Sequence, residues 1–190
     1  MKNQDHKLLG RLLLRREEGL GLDRYQTLFL AGCVVPDYNP LTYLRGSLRV
    51  RMLRGHNAEN VLPHLKACME RLQNARKQSA YWYFTLGTLI HYVADCFTYP
   101  HNSAFPGSLV THREYELSLH REFVKELGEH ELDGLSIKPG SPWDELMRRH
   151  RQYVRSAGDM DTDCYFIVKT CQDILASLLE TGPSGCTAAG

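Results

Sequence analysis

Apolar side chains recur at helical spacing along almost the whole chain, and no alternating, strand-like pattern extends beyond about four residues. Residues 4–17 place their leucines on one side and arginine or glutamate on the other, whereas residues 79–97 are apolar nearly all round, which is typical of a central, buried helix. Residues 41–55 are short and basic and indicate a broken helix. The pattern predicts regular helices over 4–17, 22–34, 58–76, 79–97, 112–128, 143–157 and 160–180.

Turn and capping signals divide these segments. Val35–Pro40 (VPDYNP) reads as a turn cluster that ends the second helix, because a residue before proline disfavours helical backbone. Asn57 is the expected cap of the third long helix, and Thr111 with Glu114 forms a capping box before the 112–128 helix. The sequence therefore predicts an all-α, single multi-helical domain over residues 1–180, with six to eight helices around one core and a flexible tail over 181–190.

Composition narrows the possible functions. The chain has 190 residues, 43% of them hydrophobic, which suits one domain with a sizeable core. With 23 basic and 22 acidic residues the net charge is +1, so no global field attracts nucleic acid or anionic lipid. No apolar run approaches the roughly 18–20 residues that span a bilayer, so we expect no transmembrane segment.

The first residues and the cysteines bear on location. The amphipathic, charged start MKNQDHKLLGRLLLRREEG lacks the apolar region of a signal peptide. The six cysteines form no CxxC pair, and four lie in apolar helical patterns, so we expect reduced thiols in a cytoplasmic protein. The alternative is a disulfide framework, since six is an even number. The sequence gives no indication of an oligomeric state.

Metal-type ligands are concentrated between His91 and Glu116. His91 and Asp95 are four residues apart in the central helix, as are His112 and Glu116 in the next, and His101 follows a proline between them. Residues at this spacing share one helix face. All five are imidazoles or carboxylates, the ligand set that suits a hydrolytic zinc site rather than a structural one, which more often uses cysteine.

Asp95 is the most informative of these residues. Taken singly, each histidine can be explained as an ordinary core or surface residue without a metal. A carboxylate inside LIHYVADCF, however, needs a partner, because burying an unpaired charge costs several kcal/mol. No lysine or arginine lies within this helix, so a metal cation is the economical partner. Three upstream candidates are weak singly and matter only as a set: His6 on the first helix, Asp37 in the turn and His56 before the third long helix.

Together these motifs resemble the zinc-dependent phospholipase C family. HYVAD, a histidine six positions beyond the aspartate, HxxxE, and PDYNP followed by a downstream histidine carry the resemblance over residues 6–116. Beyond residue 116 only the helical character of 117–180 agrees. The same superfamily includes single-strand nucleases with a trinuclear zinc centre, and the resemblance implies an orthogonal helical bundle.

The resemblance also implies ligands for two to three Zn²⁺ ions per chain. Asp37, His56, His91 and Asp95 would hold one zinc, with His64 as a competitor for His56. A second zinc would be held by His101, His112 and Glu116. Asp95 would bridge to a third, which His6 would also hold. In secreted members an N-terminal Trp supplies its amino group and carbonyl to that zinc, whereas this chain begins MKNQDHK.

These expectations define one leading function and two alternatives. The leading one is a zinc-dependent phosphodiester hydrolase of phospholipase C type, using zinc-activated water on a phospholipid or smaller phosphodiester. Asp37 is the catalytic candidate, because a turn carboxylate can both bind metal and orient or deprotonate water. The alternatives are a single-strand nuclease-like hydrolase and a non-catalytic, zinc-stabilised helical protein. Stable nucleic-acid binding is not expected, given the neutral charge.

Overall fold

The computed structural model describes residues 1–16, 25–38, 57–129 and 141–181, and all regular structure within these ranges is helical. A short 3₁₀ turn, Tyr99–His101, links the fourth and fifth of the seven α-helices found in these ranges. In chain order the helices are α1 (Asn3–Arg16), α2 (Gln26–Tyr38), α3 (Ala58–Gln73), α4 (Ala80–Cys96), α5 (Leu109–Glu129), α6 (Pro142–Ser156) and α7 (Met160–Thr181). The predicted all-α class is confirmed. The predicted broken helix over 41–55 and the predicted tail over 181–190, apart from Thr181 at the end of α7, lie outside the described residues.

Helix α4 is the centre of the bundle. Nearly all of its residues are buried, as expected for a segment that is apolar all round, and it packs against α2, α3 and α7. The Ser79 hydroxyl caps its start by accepting a hydrogen bond from the Trp82 backbone N–H at 3.2 Å. Within the described ranges, no helix is both long and apolar enough to cross a membrane.

Two of the helix boundaries that differ from the prediction lie close to candidate ligands. The second helix does not stop before Pro36: α2 continues to Tyr38 with Pro36 inside it, so Asp37 lies on a helix rather than in a turn. Packing against α4 overrides the local effect of proline there, and the missing proline N–H affects only the last turn. Helix α5 begins at Leu109, because Ser108 rather than Thr111 acts as its cap, its hydroxyl accepting from the Thr111 N–H at 3.3 Å.

Glycines let α2 and α4 approach at backbone distance. A Cβ added to Gly87 would lie 2.0 Å from the Phe29 carbonyl oxygen, and one added to Gly32 would lie 2.2 Å from the Phe84 carbonyl oxygen. Neither backbone can yield as a flexible side chain would. This close contact sets the separation of the two helices that carry Asp37, His91 and Asp95.

Replacing Gly87 with alanine is therefore expected to lower the free energy of unfolding by about 3 kcal/mol, since overpacking here moves backbone. Gly10→Ala is the matched control: its Cβ would meet the flexible tip of Leu30 at 2.9 Å, and alanine favours the helix by about 1 kcal/mol. Urea unfolding of both variants measures the difference. Equal stability of the two would show that α2 and α4 can separate without penalty.

A buried carboxylate on α7 joins the 3₁₀ turn, α5 and α6. Asp163 is fully buried and accepts hydrogen bonds from the Tyr153 hydroxyl at 2.6 Å, the Tyr115 hydroxyl at 3.1 Å and the Tyr99 backbone N–H at 2.9 Å. Burial raises the pKa of Asp163 to about 6, although these three donors oppose the shift.

The raised pKa predicts a pH-dependent stability. The folded state holds the Asp163 proton more tightly than the unfolded chain, whose carboxyl titrates near 3.8. The resulting stabilisation is complete below pH 3.8 and is lost as the pH rises through about 6. The difference in unfolding free energy between the metal-free protein and Asp163→Asn should shift by about 3 kcal/mol over this window, at ~1.4 kcal/mol per pKa unit. A pH-independent difference would contradict the prediction.

Candidate metal centre

His91 is oriented by the backbone of the neighbouring helix. Its Nδ1 lies 2.8 Å from the Cys33 carbonyl oxygen, which can only accept, so Nδ1 donates and Nε2 is left to face the acidic residues. Both His91 and Asp95 are fully buried, one turn apart on α4. A ring nitrogen tied to a backbone carbonyl is the usual support of a histidine that binds metal through its other nitrogen.

Four residues from three helices form one cluster, the four-residue group: His6 of α1, Asp37 of α2, and His91 and Asp95 of α4. One ligand-type atom from each lies within 4.8 Å of all the others. The His91 Nε2 is 3.6 Å from the Asp37 Oδ1 and 3.4 Å from the Asp95 Oδ2. The His6 and His91 rings stack with centroids 3.8 Å apart.

A second cluster, the three-residue group, consists of His101, His112 and Glu116, whose ligand-type atoms also lie within 4.8 Å of one another. The Glu116 Oε1 is 3.0 Å from the His112 Nε2 and 3.3 Å from the His101 Nε2. His101 comes from the 3₁₀ turn, and the other two residues are one turn apart on α5. Both histidines are buried.

Asp95 faces both clusters. Its Oδ1 lies 3.3 Å from the His6 Nε2, and its Oδ2 lies 3.4 Å from the His91 Nε2 and 3.7 Å from the His101 Nδ1. The carboxylate is therefore the element shared between the four-residue group and the three-residue group. All seven residues belong to one continuous polar patch inside an apolar bundle.

The Met1 amino group lies at the junction of the two groups. It is 3.0 Å from the Asp95 Oδ1, 3.1 Å from the Glu116 Oε1 and 3.1 Å from the His101 Nε2. Although burial opposes its charge, the neighbouring Asp95, Glu116 and Asp37 carboxylates raise the pKa of this amine to about 11. An ammonium therefore occupies a position where the surrounding carboxylates favour a cation.

His6, His101 and Glu116 hold protonation states suited to metal binding, whereas the acidic neighbours of His91 favour its protonated form in the absence of a metal. Burial, with the nearby His91 charge, lowers the pKa of His6 to about 4, and burial lowers that of His101, so both rings are neutral with a free lone pair. Burial disfavours ionised Glu116, but the Met1 ammonium and hydrogen bonds from His101 and His112 hold the pKa of Glu116 well below its usual range. The pKa of His91 is raised against burial, chiefly by Asp95.

Unsatisfied ring nitrogens show that the residues fit a metal ion. Both ring nitrogens of His6 and the Nδ1 of His112 are buried without a hydrogen-bond partner among the described residues. Buried polar atoms are nearly always satisfied, so a missing partner calls for a specific explanation. The donor set is imidazole and carboxylate without a thiol, which suits zinc in a reactive site.

Other predicted site residues lie elsewhere. His56 lies outside the described residues. His64 joins neither group; its Nε2 is 3.6 Å from the Cys68 sulfur, and its ring packs edge-on against Tyr92. Near the three-residue group, the Tyr99 and Phe105 rings pack edge-on against each other with centroids 5.3 Å apart. The five cysteines in the described ranges are buried and form no disulfide with one another.

One contact beside the centre escaped the sequence reasoning. The fully buried Asp5 contacts the His120 Nδ1 and ties α1 to α5. Two features of the sequence could have indicated this contact. Asp5 precedes His6, and His120 continues the four-residue spacing of His112 and Glu116 along α5. The pair fixes the helix that carries His6 against the helix that carries the three-residue group.

A helical bundle whose centre holds two facing histidine–carboxylate clusters has side chains that could hold metal ions. Comparison with protein families gives a match to the zinc-dependent phospholipase C model over residues 5–178. The chain belongs to the zinc-dependent phospholipase C family. Searches of curated proteins and of solved structures gave no match.

Proposed function

We propose that the protein is a phosphodiester hydrolase of phospholipase C type that works with zinc held by the two clusters. The observation that carries this proposal is the convergence of seven imidazole and carboxylate side chains, from α1, α2, α4, the 3₁₀ turn and α5, on one buried patch. Family membership supports zinc dependence and a phospholipase or phosphodiesterase activity. A site that only stabilised the fold would more often use cysteine.

Each cluster would hold at least one ion. His6, Asp37, His91 and Asp95 would bind the first, and His101, His112 and Glu116 the second. Asp95 would serve both sites, since its two oxygens face different histidines. The Met1 amine and His6 face the same Asp95 oxygen, which supports a place for a third ion there.

Zinc, when bound, polarises phosphoryl oxygens and lowers the pKa of water toward about 7. The chain's own residues would then orient the reactants. Asp37 is the proposed base, because it is half-buried at the end of α2 while its oxygens approach His91 and His6. A carboxylate at the edge of a buried patch can accept a proton from a water molecule that enters from solvent.

Exposed apolar side chains beside the ligands favour a lipid substrate over a nucleic acid. Leu109 and Val110, one turn or less before His112, are 65% and 67% exposed, and Tyr38, next to Asp37, is 72% exposed. Apolar groups at the edge of a polar site suit an acyl chain. The net charge of +1 gives no support to a protein that follows a phosphate backbone.

Hydrolysis of bis-p-nitrophenyl phosphate tests the proposal. The zinc-loaded protein should release p-nitrophenol, and removal of zinc with a chelator should reduce the rate at least about a hundredfold, since metals contribute several kcal/mol to such transition states. Adding zinc back should restore the rate. Bound zinc without turnover would instead identify a metal-stabilised structural protein.

Substrate choice is tested separately. Phosphatidylcholine vesicles and single-stranded DNA are offered to the same zinc-loaded preparation. Release of a phosphorylated head group, with DNA left intact, is the expected result. DNA cleavage without lipid hydrolysis would replace the lipid assignment with the nuclease alternative.

A further inference from the structure

The three-residue group is linked to α7 by the buried carboxylate of Asp163. Two of the three donors to Asp163 belong to segments that carry ligands. Tyr99, whose backbone N–H donates at 2.9 Å, is two residues before His101, and Tyr115, whose hydroxyl donates at 3.1 Å, directly precedes Glu116. Both donate to the same oxygen, Oδ2, so a single atom ties the 3₁₀ turn to α5.

The third donor connects this link to α6. The Tyr153 hydroxyl donates to the Asp163 Oδ1 at 2.6 Å, and Tyr153 is fully buried beside Phe97 and Phe166. Helix α6 also contacts Asn102, the residue after His101, because the His150 Nε2 lies 3.0 Å from the Asn102 Oδ1. The 3₁₀ turn is therefore bonded to α7 at its first residue, Tyr99, and to α6 at Asn102, which directly follows it.

We propose that Asp163 is a positioning residue that sets the separation of His101 and Glu116 and so determines zinc affinity at the three-residue group. The inference rests on one part of the proposed function, namely that the three-residue group binds zinc. It gives the C-terminal helices a role in the metal centre, although they supply no residue to either cluster in the described part of the chain.

The same geometry predicts that the effect is confined to one cluster. The four-residue group has a separate support, the Cys33 carbonyl that orients His91, whereas the hydrogen bonds to Asp163 described above come from Tyr99, Tyr115 and Tyr153, which are not members of that group. Loss of Asp163 should therefore loosen the three-residue group while α2 and α4 keep the other cluster in place.

Two substitutions separate positioning from simple loss of charge. Asp163→Ala removes both oxygens and leaves the Tyr99 N–H, which cannot reverse its polarity, without its acceptor. Asp163→Asn can keep its amide oxygen at the Oδ2 position for Tyr99 and Tyr115. The amide NH₂ then faces the Tyr153 hydroxyl, which can rotate to accept. We expect Asn to preserve zinc binding and Ala to lose it.

Calorimetric titration of the demetallated protein with zinc measures the affinity of each site. Two reference variants assign each zinc-binding step of the titration to its cluster. Glu116→Gln should weaken the step that belongs to the three-residue group. Asp37→Asn should weaken the step that belongs to the four-residue group. Asp163→Ala is expected to weaken the Glu116-dependent step by about ten- to a hundredfold, as loss of a supporting residue typically does, and to leave the other within about threefold. Asp163→Asn should leave both steps within about threefold.

A control measures the consequence of destabilisation alone. Asp173 is a buried carboxylate on the same helix, paired with Arg149 and Lys169 and distant in sequence from the ligand-bearing segments. Asp173→Ala should lower stability without shifting either zinc step. If Asp163→Ala does not fold, Tyr115→Phe, which removes one donor and retains the ring, should weaken the Glu116-dependent step selectively.

Equal weakening of both steps by Asp163→Ala, or by Tyr115→Phe in its place, would overturn the inference, as would unchanged affinity at the Glu116-dependent step. Zinc binding is measured without substrate, so these outcomes are separate from the fate of the proposed function. A protein that binds zinc in this selective manner and hydrolyses no phosphodiester would refute the function and leave the role of Asp163 intact.

Discussion

Replacing Asp95 with asparagine is expected to reduce phosphodiester hydrolysis by about a thousandfold or more and to lower the zinc content at both clusters. The two carboxylate oxygens face different histidines, so one substitution removes a negative ligand from two sites. A loss of several kcal/mol of transition-state stabilisation corresponds to a rate change of that size. Zinc analysis of the purified variant, together with its turnover, measures both effects.

His6→Ala is the comparison for Asp95→Asn. His6 faces one side of the centre only, so its loss should reduce activity by about ten- to a hundredfold and leave zinc at the three-residue group. Asp173→Asn controls for the loss of a buried carboxylate away from the centre and should retain full zinc content. Two outcomes would show that Asp95 does not serve both clusters. One is an equal loss of activity and zinc in Asp95→Asn and His6→Ala, and the other is full zinc occupancy with unchanged turnover in Asp95→Asn.

Asp37→Asn is expected to lower kcat by about a hundred- to ten-thousandfold, the range that general-base catalysis contributes. An amide cannot accept a proton as a carboxylate does, yet it retains the size and the oxygen of the original side chain. Zinc at the three-residue group should be unchanged, because Asp37 approaches His6 and His91 of the four-residue group. Steady-state kinetics with bis-p-nitrophenyl phosphate, alongside zinc analysis, separate the catalytic effect from metal loss.

The exposed Asp144 on α6 provides the matched control, since Asp144→Asn makes the same chemical change away from the centre and should leave kcat unaltered. A loss in Asp37→Asn that excess zinc fully restores would show that Asp37 acts as a ligand only. In that case another group must accept the proton, and the assignment of Asp37 as base is wrong.

The helical class and the position of α4 were predictable because they depend on hydrophobic periodicity. A segment that is apolar on all sides can be stable only when surrounded, and α4 is surrounded. The spacing of His91 with Asp95, and of His112 with Glu116, likewise predicted which residues share a helix face. The structure brings both pairs together with His6, Asp37 and His101.

Features that depend on contacts between distant segments were not predictable. Pro36 is a local signal for a turn, but packing of α2 against α4 keeps the helix intact through Tyr38. Asp163 is 48 residues from Tyr115 and 64 residues from Tyr99 in the sequence, and these residues follow no motif. The Met1 amine was not predicted, because no pattern in the sequence places this amine beside Asp95 and Glu116.

The central claim is that His6, Asp37, His91 and Asp95 on one side, and His101, His112 and Glu116 on the other, bind zinc. An anomalous difference map from a crystal grown with zinc and measured at the zinc absorption edge tests it most directly. We predict one peak within each cluster, with nitrogen and oxygen ligands at about 2.0–2.2 Å. Peaks only at surface histidines, or side chains of the two clusters directed away from any ion, would contradict it.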